Sequence, residues 1–197
     1  AVQTTVRGRQ SNLHTGKQVV SLKRLVMVAI WGVVVLAGIF VTVRFTGLID
    51  HMLPPGDPPN FAFGRDADLP QDPNFFLACP DDLRPDTDRS MQSPSFNASV
   101  AALTEVLVDT APDHGMRLMT DISVGEAGRL YFLARSPVLH FPDWVEIELI
   151  LPETGNDVSF CLFARSVYGI DDMGQNEKRT RAWLADVNAR MGQTQGN

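Results

Sequence analysis

Residues 144–151 read Trp-Val-Glu-Ile-Glu-Leu-Ile-Leu. Val145, Ile147, Leu149 and Leu151 share one side of an extended chain, and Glu146 and Glu148 share the other. That period of two is the mark of a strand with one face on a core and one face toward water. Turn-forming clusters at 137–142 and 152–157 bracket it. Three similar short runs, 116–122, 129–135 and 158–165, stand on either side, so an antiparallel meander of roughly four strands is expected. Helical periodicity flanks the strands. Ser99 is placed to cap a helix whose stripe is Val100, Leu103, Val106, Leu107 and Ala111, ending near Pro112 and Gly115. A second helix over 176–191 carries Trp183, Leu184, Val187 and Met191 on one side. Two helices on one face of a sheet predict an α+β domain over 95–191, with a tail over 192–197.

Upstream, residues 45–94 change character. The stretch 54–94 holds nine of the 13 prolines and eight aspartates, with Phe61, Phe63, Phe75 and Phe76 among them. Proline fixes φ and removes a donor, which predicts an extended connector without long helices or central strands. Two roles stay open for it: a solvated spacer, or a strap whose phenylalanines contact a neighbouring protein.

Residues 25–43, LVMVAIWGVVVLAGIFVTV, contain no charge and lie between Lys23-Arg24 and Arg44. Nineteen residues at helical rise cover roughly 28 Å, close to the hydrocarbon thickness of a bilayer. Twelve of the nineteen are Leu, Ile, Val or Phe, which favours insertion by roughly 4–7 kcal/mol. A cleaved signal would have a shorter apolar core and a small-x-small site, and no lipobox cysteine follows Leu36-Ala37-Gly38. A transmembrane helix over 24–44 is expected, with Trp31 near its cytoplasmic side. Only Gly38 and Thr42 offer small residues four apart, a weak basis for self-association.

Charge is segregated along the chain. The only charged residues before position 44 are Arg7, Arg9, Lys17, Lys23 and Arg24, so this part carries +5; since the whole chain is −6, the remainder carries −11. The positive-inside rule then predicts a cytoplasmic basic tail over 1–23 and a periplasmic C-terminal domain, single-pass in a bacterial inner membrane. The acidic remainder argues against nucleic acid as its partner.

Signatures of common chemistries are missing: no Gly-x-Ser-x-Gly, no His-Glu-x-x-His, no phosphate-cradling glycine loop and no Cys-x-x-Cys. His14, His51, His114 and His140 are isolated in sequence; His140 could serve as a ligand or base, and a loop histidine bonded to nearby backbone is the favoured reading. Cys79 and Cys161 are the only cysteines. Either Cys161 is a buried strand thiol, or the two form a disulfide stapling the connector to the sheet. The segment Ala164 to Arg179 passes from a strand through Gly169 and Gly174 into the last helix. Asn176 is expected as its N-cap, with Asp171 and Asp172 near its positive end. A small-anion or metal site at that N-terminus is the competing reading, disfavoured for an anion by the two aspartates.

At these residues the chain resembles a bacterial domain-of-unknown-function family, number 1499. The family's signature looks like Ser-Arg-x-Gly-x-Ser-Asp-x-Gly-x-Asn-x-x-Arg. Ser166, Gly169, Asp172, Gly174, Asn176 and Arg179 fall on it, while Val167 and Asp171 depart from it. Cys79-Pro80 matches a Cys-Pro element near the family's start, without the second cysteine that often follows. The resemblance covers roughly residues 77–190 and implies fold class and bacterial origin, but no reaction. Neither catalytic residues nor cofactor or metal are expected. The expected role is a non-catalytic, membrane-anchored accessory subunit of a larger bacterial membrane complex, photosynthetic or respiratory. Trp31, Phe61, Phe63, Phe75 and Phe76 are its candidate contacts to other integral membrane subunits. The alternative is a tethered periplasmic ligand-binding or enzymatic module.

Overall fold

A computed structural model of the chain describes residues 21–45, 47–119, 128–151 and 157–194. It divides into two compact units, 1–46 and 47–197. In the first, helix α1 (Leu22–Phe45) presents the apolar side chains of Leu22 to Val41, Trp31 included, without burial. Its 22 residues Leu22–Val43 are long and apolar enough to cross a membrane. The Thr42 hydroxyl donates to the Gly38 carbonyl of its own helix at 2.9 Å, so this polar group is satisfied without a partner.

In the second unit the elements run α2 (Leu48–Met52), β1 (Phe75–Cys79), β2 (Ser90–Gln92), β3 (Phe96–Asn97), α3 (Val100–Thr110), a 3₁₀ turn (Ala111–His114), β4 (Met116–Leu118), β5 (Arg129–Arg135), β6 (Pro142–Ile150), β7 (Asp157–Ser166) and α4 (Gln175–Thr194). The expected meander is there, as β4 to β7 paired antiparallel in sequence order. However, the sheet has seven strands, not about four, in the order β2-β1-β7-β6-β5-β4 with β3 beside the start of β7. The extra strands β1 and β2 come from the stretch read as connector. Phe75–Cys79 is a proline-free apolar run buried on both faces, so it lacks the alternation that marks a half-exposed strand.

One face of the sheet carries Phe132, Val145, Ile147, Phe160 and Leu162 under the inner stripes of α3 and α4. Each large side chain buried there is worth about 1.5–3 kcal/mol. Ser99 caps α3 by accepting from the Ala102 N–H at 3.1 Å. Trp183 of α4 stands edge-on to Phe132 and donates its indole N–H to the Thr110 hydroxyl at 2.7 Å.

The opposite face was expected to be wet and is largely covered: Glu146 is buried, while the Glu148 side chain stays 32% exposed. Residues 53–69 cross it as a strap. The Leu53, Pro54 and Pro55 carbonyls accept from Arg135, Tyr168 and Trp144, and the Phe61 ring stacks on Phe163 with centroids 4.2 Å apart. Prolines suit this path because they bring carbonyls for the sheet's side-chain donors and no N–H that needs a partner of its own. The candidate contact phenylalanines are therefore used within the chain. Phe75 and Phe76 are buried in β1, and Phe61 and Phe63 pack against Phe163, Phe75 and Leu77. Beneath the strap, Cys79 and Cys161 lie opposite one another on β1 and β7 and are joined as a disulfide, Cα atoms 4.2 Å apart.

Candidate functional site

The resemblance motif converges on one end of the sheet, where β6 and β1 begin, β7 ends and α4 begins. Gly169 and Gly174 take positive φ (90° and 72°), as does Met173 (53°), letting the chain reverse from strand to helix within eight residues. Asp172 sits just ahead of α4. Its Oδ1 accepts the Gly174 N–H at 3.0 Å and its Oδ2 the Asn176 N–H at 2.8 Å, so the carboxylate satisfies donors at the positive end of the helix dipole. Asp171 Oδ1 accepts the Met173 N–H at 2.7 Å.

Asn176 is thus not the cap. It is the second residue of α4, and its side chain is buried. Its Nδ2 donates to Ser166 Oγ at 3.1 Å and to the Asn74 carbonyl at 3.2 Å. Its Oδ1 accepts from Arg179 Nη1 at 3.0 Å. Arg179 Nη2 reaches Asp143 Oδ2 at 2.7 Å, and Ser166 Oγ donates to Asp143 Oδ1 at 2.6 Å. Asp143, Ser166, Asn176 and Arg179 therefore close a ring of hydrogen bonds with one positive and one negative charge. Asn74, just ahead of β1, ties in by donating Nδ2 to the Ser166 and Gly169 carbonyls at 3.3 and 2.7 Å. Its Oδ1 is buried without a hydrogen-bond partner among the described residues.

Four of the six motif residues contribute side chains to this joint or to the helix start beside it, and the two glycines shape the turn. Asn74 and Asp143 were missed from sequence. Asn74 lay in a segment read as connector, and Asp143 lay in a turn-rich stretch where an aspartate is unremarked. Chemically the joint is closed. The Ser166 proton is committed to Asp143 and its oxygen accepts from Asn176, with no histidine or lysine in the ring to act as an activating base.

A second polar cluster lies under the strap. Glu146 is fully buried. Its Oε1 pairs with Arg129 at 2.6 Å and its Oε2 accepts the Phe61 N–H at 3.0 Å. Arg129 also bonds Glu148 and the Asn60 side chain. Burial pushes the Glu146 carboxyl above the ordinary carboxylate range, against the pull of the Phe61 N–H and the Arg129 guanidinium. The His140 ring Nδ1 lies 3.0 Å from Asp50 Oδ1 of α2. His14 lies outside the described residues. No group of three or more His, Cys, Asp or Glu side chains with metal-holding spacing occurs among the described residues. A shallow depression of about 290 Å³ opens at the strap's edge, lined by Pro55, Asp57, Pro59, Trp144 and Arg165 to Val167.

A family model described as "Protein of unknown function (DUF1499)" matches residues 65–187, a span that takes in the strap's end, the whole sheet and most of α4. No curated protein and no solved structure matches the chain.

Proposed function

We propose that this chain, which belongs to the DUF1499 family of proteins of unknown function, is a non-catalytic, membrane-anchored accessory subunit of a larger bacterial membrane complex. The observation that carries the proposal is the closed ring of Asp143, Ser166, Asn176 and Arg179. The side chains that mark the family are spent on one another and on the start of α4, which leaves no free nucleophile or acid-base pair among these described residues. The anchor in this proposal is Leu22–Val43, with the basic tail cytoplasmic by the positive-inside rule. The disulfide favours an oxidising compartment, hence the periplasm, for the second unit.

The test is purification of the full chain from its native membranes in a mild detergent, with identification of what travels with it. Stoichiometric integral membrane polypeptides are expected. A chain that elutes alone under conditions that preserve known membrane complexes refutes the accessory role. The depression beside Trp144 and Arg165 favours a second reading, a tethered ligand-binding module. A small molecule retained by the purified chain in native mass spectrometry, and lost in Arg165→Ala, would put that reading first.

A further inference from the structure

Outside α1, every exposed large hydrophobic residue among those described except Leu151 falls in three segments: α2, the β5–β6 turn at 136–141, and the β7–α4 loop at 167–173. Met173 is 90% exposed, Ile170 71% and Met52 68%; singly such side chains are ordinary, but gathered in one patch they mark a contact surface. The three segments are one surface. Asp50 of α2 bonds the His140 ring, Arg135 bridges the carbonyls of Leu53 and His140, and the Tyr168 hydroxyl donates to the Pro54 carbonyl. The Phe141 and Tyr168 rings lie 6.5 Å apart. All of them sit at the end of the sheet where β5 and β7 finish and β6 starts.

We infer that this apolar rim is a second membrane contact, inserted into the headgroup–acyl boundary of the bilayer that α1 crosses; the inference rests on the anchored reading above. The occupant follows from chain connectivity. Only Thr46 and Gly47 separate α1 from α2 in sequence, so Leu48 follows within about 11 Å of chain from the end of α1 at Phe45. The shape also fits lipid. The apolar groups are protruding tips on three separate segments, as a fluid boundary accepts, with Tyr168 offering an aromatic body and a polar end. Three acids lie at the rim: Asp50 is matched by Arg135 and His140, Asp172 takes the start of α4, and Asp171 is exposed, with its Oδ1 accepting the Met173 N–H and no basic ion-pair partner among the described residues to draw anionic headgroups. Contact is therefore apolar in origin and does not depend on anionic lipid.

The experiment uses the full chain, reconstituted without reductant into vesicles of phosphatidylcholine, with and without phosphatidylglycerol, containing brominated phosphatidylcholine as quencher. An environment-sensitive fluorophore is placed on Met173→Cys, on Leu139→Cys and on a control, Asn97→Cys. Asn97 pairs with Asp157 at the opposite end of β7, roughly 30 Å from Ser166 by strand rise. Native Trp31, read as the difference from Trp31→Phe, reports the anchor. The expected result is quenching of Trp31, loss of most emission at 173 and 139 in both lipid mixtures, and little change at 97. Quenched Trp31 with probes at 173 and 139 no more quenched than at 97 overturns the rim contact and leaves the anchor standing. Unquenched Trp31 overturns both. Probes at 173 and 139 that leave water without being quenched mark burial by a second copy, which also overturns the proposal.

Discussion

Asp143→Ala is the most informative single change. Asp143 receives the Ser166 hydroxyl at 2.6 Å and Arg179 at 2.7 Å, and the side chains of the ion pair are only 12% (Arg179) and 6% (Asp143) exposed. Removing the carboxylate leaves a guanidinium charge largely out of water and a buried hydroxyl without its acceptor. Breaking a buried pair from one side costs about 3–5 kcal/mol. Against a typical total of about 5–15 kcal/mol this is a large fraction. At about 2–4 °C per kcal/mol for a body of this size, it lowers Tm by roughly 6–20 °C. Denaturant titration of the full chain in detergent, followed through buried Trp144 and Trp183, reads the loss. The double change Asp143→Leu with Arg179→Met removes both charges into apolar volume and is expected to be more stable than Asp143→Ala. A single variant within about 1 kcal/mol of the parent, or a double variant worse than both single changes combined, would refute the closed-ring account.

Four other outcomes are expected. Asn176→Ala costs about 1–3 kcal/mol, because it orphans buried partners, and Asp172→Ala about 0.5–2 kcal/mol through the helix start alone; the reverse order in urea titrations would restore Asn176 as the cap. Glu146 holds its proton more tightly folded than unfolded, so its contribution is fully present below the unfolded carboxylate pKa and is lost as pH rises through the raised folded value. Stability of Glu146→Gln should consequently fall less with rising pH across that window than that of the parent, and parallel curves would rule this out. Reducing Cys79–Cys161, which closes a loop with a sequence separation of 82, should cost roughly 4.5 kcal/mol in the chain-entropy model; an unchanged unfolding midpoint in reductant would count against the staple. A reporter active only in the periplasm should work after Asn197 and stay silent before Leu25, and the opposite pattern would invert the topology.

What was legible in the sequence follows contrast in composition between the two sides of an element. β5, β6 and β7 and the stripes of α3 and α4 each have a dry side and a side of different composition, and periodicity reports that contrast. β1 is dry on both faces, so Phe75–Cys79 has no period to detect, and nearby prolines argued against a strand. The wet face assigned to Glu146 and Glu148 was a local inference that failed for a non-local reason. A segment some 85 residues away in sequence covers Glu146 and supplies the Phe61 N–H to it. The motif was recognisable as a set of positions, but spacing could not say that Asn176 points into the protein while Asp172 takes the helix start.

The ring and the strap place buried charge in two layers of one sheet, where apolar residues of equal volume would often serve stability as well. Their common property is directional pairing. The ring admits one docking of α4 against the ends of β7 and β6, because Arg179 must meet both Asp143 and Asn176. The Glu146–Arg129 cluster admits one register of the strap, because the Phe61 N–H and the Asn60 side chain must meet it together. With both fixed, α2, the 136–141 turn and the 167–173 loop are held at the same end of the sheet. A stable polar frame beneath is what allows three short segments to keep their apolar tips exposed together instead of collapsing onto one another.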